Sequence, residues 1–168
     1  MAKTDQLEFL TRFNELLDKI DLTALTVLKG HLVIEERLNT ILEHYVFNAD
    51  RLDTARLSFQ QKLELCRGFA IGKSDASIWE LIAVVNRLRN AYAHSLDASR
   101  HEKALQAFDQ AFKREMTEIS AKNPQVLDSP DIVTKIKMAC AMCLGYLRRF
   151  EEDSKRYRDT VDQLRKGY

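Results

Sequence analysis

The chain has few residues that break regular structure: two prolines and five glycines among 168 residues. That scarcity excludes a turn-rich architecture and points to long helices joined by few turns. Cysteine is sparse too. Cys66, Cys140 and Cys143 make an odd count, and in a reducing compartment all three are expected as free thiols. No apolar run approaches the roughly 18 residues of a membrane span. The start, MAKTDQLEFL, carries no signal-peptide core. A cytoplasmic protein making no use of a membrane is therefore expected. An excess of charge of one sign is also missing, the formal net charge being +1. Nothing draws the whole molecule toward nucleic acid, so any RNA contact has to be a local patch or a composite of two chains. The sequence has no Gly-rich phosphate loop, no H-E-x-x-H, no G-x-S-x-G and no clustered acids suited to Mg²⁺. Cys140-Ala-Met-Cys143 is a C-x-x-C lacking a second pair or a suitably spaced His, and it reads as two small core residues. No metal and no cofactor are expected.

What is present suits one helical domain over residues 1–168: 45% of the residues are hydrophobic and 30% charged. Apolar spacing predicts an amphipathic helix over residues 5–20 and a second from Leu22 to Val46 whose apolar arc is wide enough to touch several neighbours. Residues 48–57 read as a polar connection. Ser58 and Gln61 form a capping box for a third helix, which Gly72 stops. Ser77 and Glu80 form another box, launching a helix over residues 78–95. The next helix is capped by Asp97 or Ser99 and ends at Asn123-Pro124. Ser129-Pro130-Asp131 starts the last helix, with Pro130 at its first position; it runs to Arg165. Its first half is core-like. Its second half, about residues 148–168, is a charged helical tail, either solvated or a packing seam for a second chain. The expected fold is thus an all-α compact bundle of five or six helices, with a core over about residues 22–150 and a long C-terminal helix. Residues 22–46 and 78–95 are expected to pack near antiparallel.

Residues 78–95, IWELIAVVNRLRNAYAHS, carry the functional question. On a helix of about 100° per residue, Ile78, Leu81, Ile82, Val85, Leu88 and Tyr92 share an apolar arc. Arg89 falls inside it. A guanidinium keeps its charge, so within such an arc it requires a carboxylate, a phosphate or an open cleft. Asn90 and His94 lie at i, i+4 on roughly the opposite side, with Arg87 in line with His94. Arg89 and His94 point about 140° apart on a straight helix. They share one site only if the helix ends or bends near Ala93, or if a second chain supplies one of them. In the second helix, His31 and Glu35 are polar residues within the apolar arc, also at i, i+4. Either they satisfy each other or nearby backbone, or Glu35 is the carboxylate for Arg89, with His31 lining the same pocket. His44 and His101 read as surface residues.

The segment Arg89-Asn90-Ala-Tyr-Ala-His94, preceded by GHLVIEERLNTILEHY and RLSFQQKLELCRGFAIG, resembles the R-x4-H signature of the HEPN superfamily. The likeness covers roughly residues 22–98 in pattern. It implies a compact helical bundle and an RNA-directed role: many HEPN proteins are metal-independent endoribonucleases, acting as homodimers with two motifs face to face, and some are toxins held by an antitoxin. By that resemblance, His94 transfers protons at the ribose 2′-OH or the leaving oxygen, Arg89 holds the scissile phosphate and Asn90 orients one or the other. Imidazole ordinarily titrates near neutrality, and an Arg fork stabilises charge developing on phosphorus, so the chemistry is self-consistent. Other members, including relatives of the mannitol operon repressor, are regulators. The alternative implied is a non-catalytic module that binds nucleotide, RNA or a partner protein in the same groove, with a plain helical scaffold as the third reading.

Overall fold

The computed structural model describes residues 21–71, 76–120 and 130–166, with only the backbone described for residues 118–120. These residues form six helices and, among them, no strand. The helices are α1 (Leu22–Tyr45), α2 (Asp50–Ala55), α3 (Phe59–Phe69), α4 (Ser77–His94), α5 (Ala98–Ser120) and α6 (Ile132–Lys166). The all-α bundle with a long C-terminal helix is what the apolar spacing predicts. The expected helix over residues 5–20, the stop at Gly72 and the end at Asn123-Pro124 lie outside the described residues.

Helix α1 is central, with α3, α4 and α6 packed around it. Asp21 caps it, its carboxylate accepting from the Thr23 and Ala24 amides at 2.9 and 3.0 Å. The directions of the neighbours follow from paired residues. His31 meets Asn86, while the Asp21 charge acts on Tyr92, so α4 runs antiparallel to α1. Arg37 meets Glu151 and His44 meets Ser154, so α6 runs parallel to it. Glu35 meets Lys62 and Tyr45 stacks on Phe69, so α3 is parallel too. Helix α5 returns along α4, with Ser77 opposite Glu115 and Tyr92 opposite His101. At the α1–α6 crossing, a Cβ on Gly30 would collide with the Cys140 sulfur, so only glycine admits this approach. Trp79, Phe108, Ile34, Leu38, Leu63, Leu81, Leu88 and Leu147 are fully buried in the single core that results.

Several local expectations give way to tertiary contacts. The connection at residues 48–57 contains α2, with Asp50 and Asp53 in its first turn and Arg56 closing it in the left-handed region at φ 48°. Six residues are too few to show a period. Ser58 and Gln61 do form their capping box. Ser77 and Glu80 do not: Ala76 is the cap residue, the Ser77 hydroxyl donates to Glu115 at 2.5 Å, and Glu80 pairs with Arg87. Asp97 accepts from the Ser99 amide at 2.9 Å and is the cap of α5. Asp131 plays that part for α6, accepting from the Val133 and Thr134 amides, so Pro130 precedes the cap instead of occupying the first turn. The charged half of α6 is no free tail. Phe150 and Ser154 are buried, the Ser154 hydroxyl bonds His44 at 2.8 Å, and Arg158 donates to the Val46 carbonyl at 2.7 Å.

Candidate functional site

Helix α4 runs unbroken through His94 and ends because Ser95 turns extended, at φ −146° and ψ 138°. Two contacts fasten that end. The Tyr92 ring stacks on His101 at 4.3 Å, and an N–H of His101 donates to the Ser95 carbonyl at 2.7 Å. Burial raises the Tyr92 pKa, and the Asp21 charge adds to it. His101, expected at the surface, is therefore a half-buried tie between α4 and α5; His44 is likewise tied to α6.

Asn90 and His94 are both exposed and one turn apart on the same side of the helix. Arg89 is half-buried, and its guanidinium donates to Asn90 Oδ1 at 2.9 Å. The bond ties the guanidinium to its chain neighbour. The unbent helix keeps the Arg89 and His94 backbone directions about 140° apart. Arg87 turns the other way, to Glu80 at 2.6 Å, and takes no part in this group.

The expected pairing of Glu35 with Arg89 is not formed. Glu35 accepts from Lys62 at 2.7 Å, and Arg89 makes no ion pair among the described residues. Lys62 reaches Glu35 because it sits on the buried arc of α3, between Phe59 and Cys66. The period of that helix already places Lys62 there. His31 does lie inside, only 2% exposed, but its partner is Asn86 at 3.0 Å. Because Asn86 Oδ1 can only accept, the His31 proton is on Nε2. Nδ1 is left without a hydrogen bond, 3.9 Å from Glu35. Burial pushes the His31 pKa down and the Arg89 and Lys62 charges add to that, opposed by the Asn86 hydrogen bond and Glu35. Asn86 was hidden in the sequence because it lies at the edge of the α4 stripe, beside Ile82. The result is a buried His31–Asn86 pair flanked by the half-buried Glu35 and Lys62, with Arg89, Asn90 and His94 further along α4 toward its C-terminal end.

Compared with protein-family models, curated proteins and solved structures, the chain matches none. Among the described residues no group of three or more His, Cys, Asp or Glu side chains is placed to hold a metal ion, and no helix is long and apolar enough to cross a membrane. The three cysteines are buried and free. Burial pushes Cys66 up to about 12 and Cys140 to about 11, which keeps both as thiols.

Chemically, this end of α4 offers a guanidinium that no carboxylate among the described residues neutralises, an amide beside it and an accessible imidazole. A guanidinium of this kind can bind a phosphate, and an exposed imidazole can move a proton where a second element brings the two together.

Proposed function

We propose that the protein is a HEPN-type, metal-independent endoribonuclease that acts as a homodimer, with a role as a toxin or defence effector restrained by a partner protein. One observation carries this reading: the half-buried Arg89 bonds only the exposed Asn90 and makes no ion pair among the described residues. A half-buried guanidinium without a carboxylate is suited to an anion supplied from outside, and a phosphodiester is an anion with a nucleophile next to it. In the reaction, the ribose 2′-oxygen gives its proton to one His94 and attacks the adjacent phosphorus. The P–O5′ bond breaks, the leaving oxygen takes a proton from the second copy's His94, which enters the step as the imidazolium and leaves it neutral, and the product ends in a 2′,3′-cyclic phosphate. Arg89 stabilises the charge that grows on the non-bridging oxygens, and Asn90 holds the guanidinium in place. The wide angle between Arg89 and His94 along one helix is the reason two copies are invoked.

The test is incubation of the purified chain with total RNA in chelator. Cleavage that leaves cyclic phosphate ends, lost in His94→Ala and in Arg89→Ala, is the expected result. RNA bound but intact would replace this reading with the non-catalytic module, and no binding at all would leave a scaffold.

A further inference from the structure

A cavity of about 590 Å³ opens where the C-terminal ends of α1 and α3 meet the second half of α6. Its size is within the range of roughly 300–1,000 Å³ common to small-molecule sites. Tyr45, Phe69, Phe150 and Tyr157 bring rings to its wall, with Tyr45 stacked face to face on Phe69 at 4.3 Å and 9°. Much of this apolar surface stays in water: Tyr157 is 49% exposed, Phe69 38% and the adjoining Ile71 95%. A flat ligand seated on it would take that apolar surface out of water, which is favourable. Two charged residues, Arg149 and Asp153, stand one turn apart at the rim. Asp153 is already engaged, whereas Arg149 has no hydrogen bond or ion pair among the described residues. The uncommitted charge at the mouth is therefore positive.

We propose that this cavity binds a small, flat aromatic anion, its ring system seated against Tyr45, Phe69, Phe150 and Tyr157 and its acidic group held by Arg149. The site is remote from His94. Trp79, behind the cavity, and His94 are separated by roughly 22 Å of α4 at 1.5 Å per residue, so the proposal stands whether or not the chain cleaves RNA.

The chain carries its own reporter. Trp79 is the single tryptophan, 2% exposed, and meets the cavity residues Tyr146 and Phe150 edge-on at 5.3 and 6.0 Å. Titration with anilinonaphthalene sulfonate, an aromatic anion, should give saturable one-to-one binding with energy transfer from Trp79. N-phenylnaphthylamine, its neutral counterpart, should bind more weakly. Gly68 lines the cavity, and a Cβ added there meets nothing within 4 Å. Gly68→Leu should keep the fold, confirmed by an unchanged or raised Tm, and lose roughly tenfold or more of the sulfonate's affinity because the new side chain occupies the ligand's place. Arg149→Gln should weaken the sulfonate by about two- to fivefold, the worth of an exposed ion pair, and leave the neutral probe unchanged. Absent or non-saturable binding, or binding indifferent to Gly68→Leu, would overturn the site. Equal response of both probes to Arg149→Gln would overturn the anionic ligand. Loss of self-association in Gly68→Leu would assign the cavity to a second copy of the chain instead.

Discussion

The two ends of α4 share a helix and little else. From Ile78 to Leu88 nearly every side chain is buried, including Trp79, Val84 and Asn86 on faces that the apolar arc leaves open to solvent. From Arg89 to His94 no residue is buried, and Asn90 and His94 are exposed. Helices α1, α5 and α6 pack along α4, and at its shallow end Tyr92 stacks on His101. A rigid helix anchored at one end and presented at the other is a way to hold reactive side chains in fixed positions without paying to bury their charges. The contrast separates stability from the proposed activity: changes in the deep end should unfold, and changes in the shallow end should leave the fold standing and bear on the proposed cleavage alone.

The largest break in that comparison should come from Trp79→Ala. Removing a fully buried indole costs about 3–5 kcal/mol, and Tm should fall on the order of 10 °C for a domain of this size. Next is Gly30→Ala, which drives a methyl into Cys140 and should cost about 1–3 kcal/mol by overpacking. Pairing it with Cys140→Ala should return much of the loss, and a double variant no better than the single one would discredit the steric explanation.

Asn86→Ala strips the buried His31 of its partner and should cost about 1–3 kcal/mol by denaturant titration. The same pair predicts a pH dependence. His31 has its pKa lowered in the folded protein, so below the ordinary value near 6.5 the unfolded chain binds more protons than the folded one. Stability should therefore decline as pH falls below about 6.5 and continue to do so until the folded-state pKa is passed. His31→Gln should flatten that part of the profile while the carboxylate-dependent part at lower pH persists.

The smallest effects on stability belong to the motif. His94→Ala should stay within about ±0.5 kcal/mol of the parent, as exposed substitutions do. Arg89→Ala loses one hydrogen bond to an exposed Asn90 and should cost about 1 kcal/mol or less. The apolar arc alone predicts a heavier penalty for Arg89, through a buried ion pair with Glu35; a Tm for Arg89→Ala far below that of His94→Ala would reinstate that pair.

Much of the site was legible, and the misses have definite causes. His31 is inside, as helical period requires by placing it among Val27, Ile34 and Leu38, whereas Glu35, expected inside with it, is only half-buried. Their partners were misassigned. An arc says which way a side chain points and not which helix stands there, so Arg89, Asn86 and Lys62 were equally available to Glu35 and His31 on paper. Ser77 made the same point at a helix start: the capping box is a local pattern, and a carboxylate on α5 outcompeted it.

The sequence by itself determined the five longer described helices and the inward turn of His31, because each depends on residues within a turn or two of one another. Only the tertiary structure decided that Lys62 takes Glu35, that Asn86 takes His31, that Arg89 is left to Asn90, and that aromatic residues from α1, α3 and α6 enclose a cavity. These are choices among partners separated by dozens of residues. They turn on which helices lie side by side and how closely, as Gly30 lets α1 and α6 do, and no local period encodes that distance.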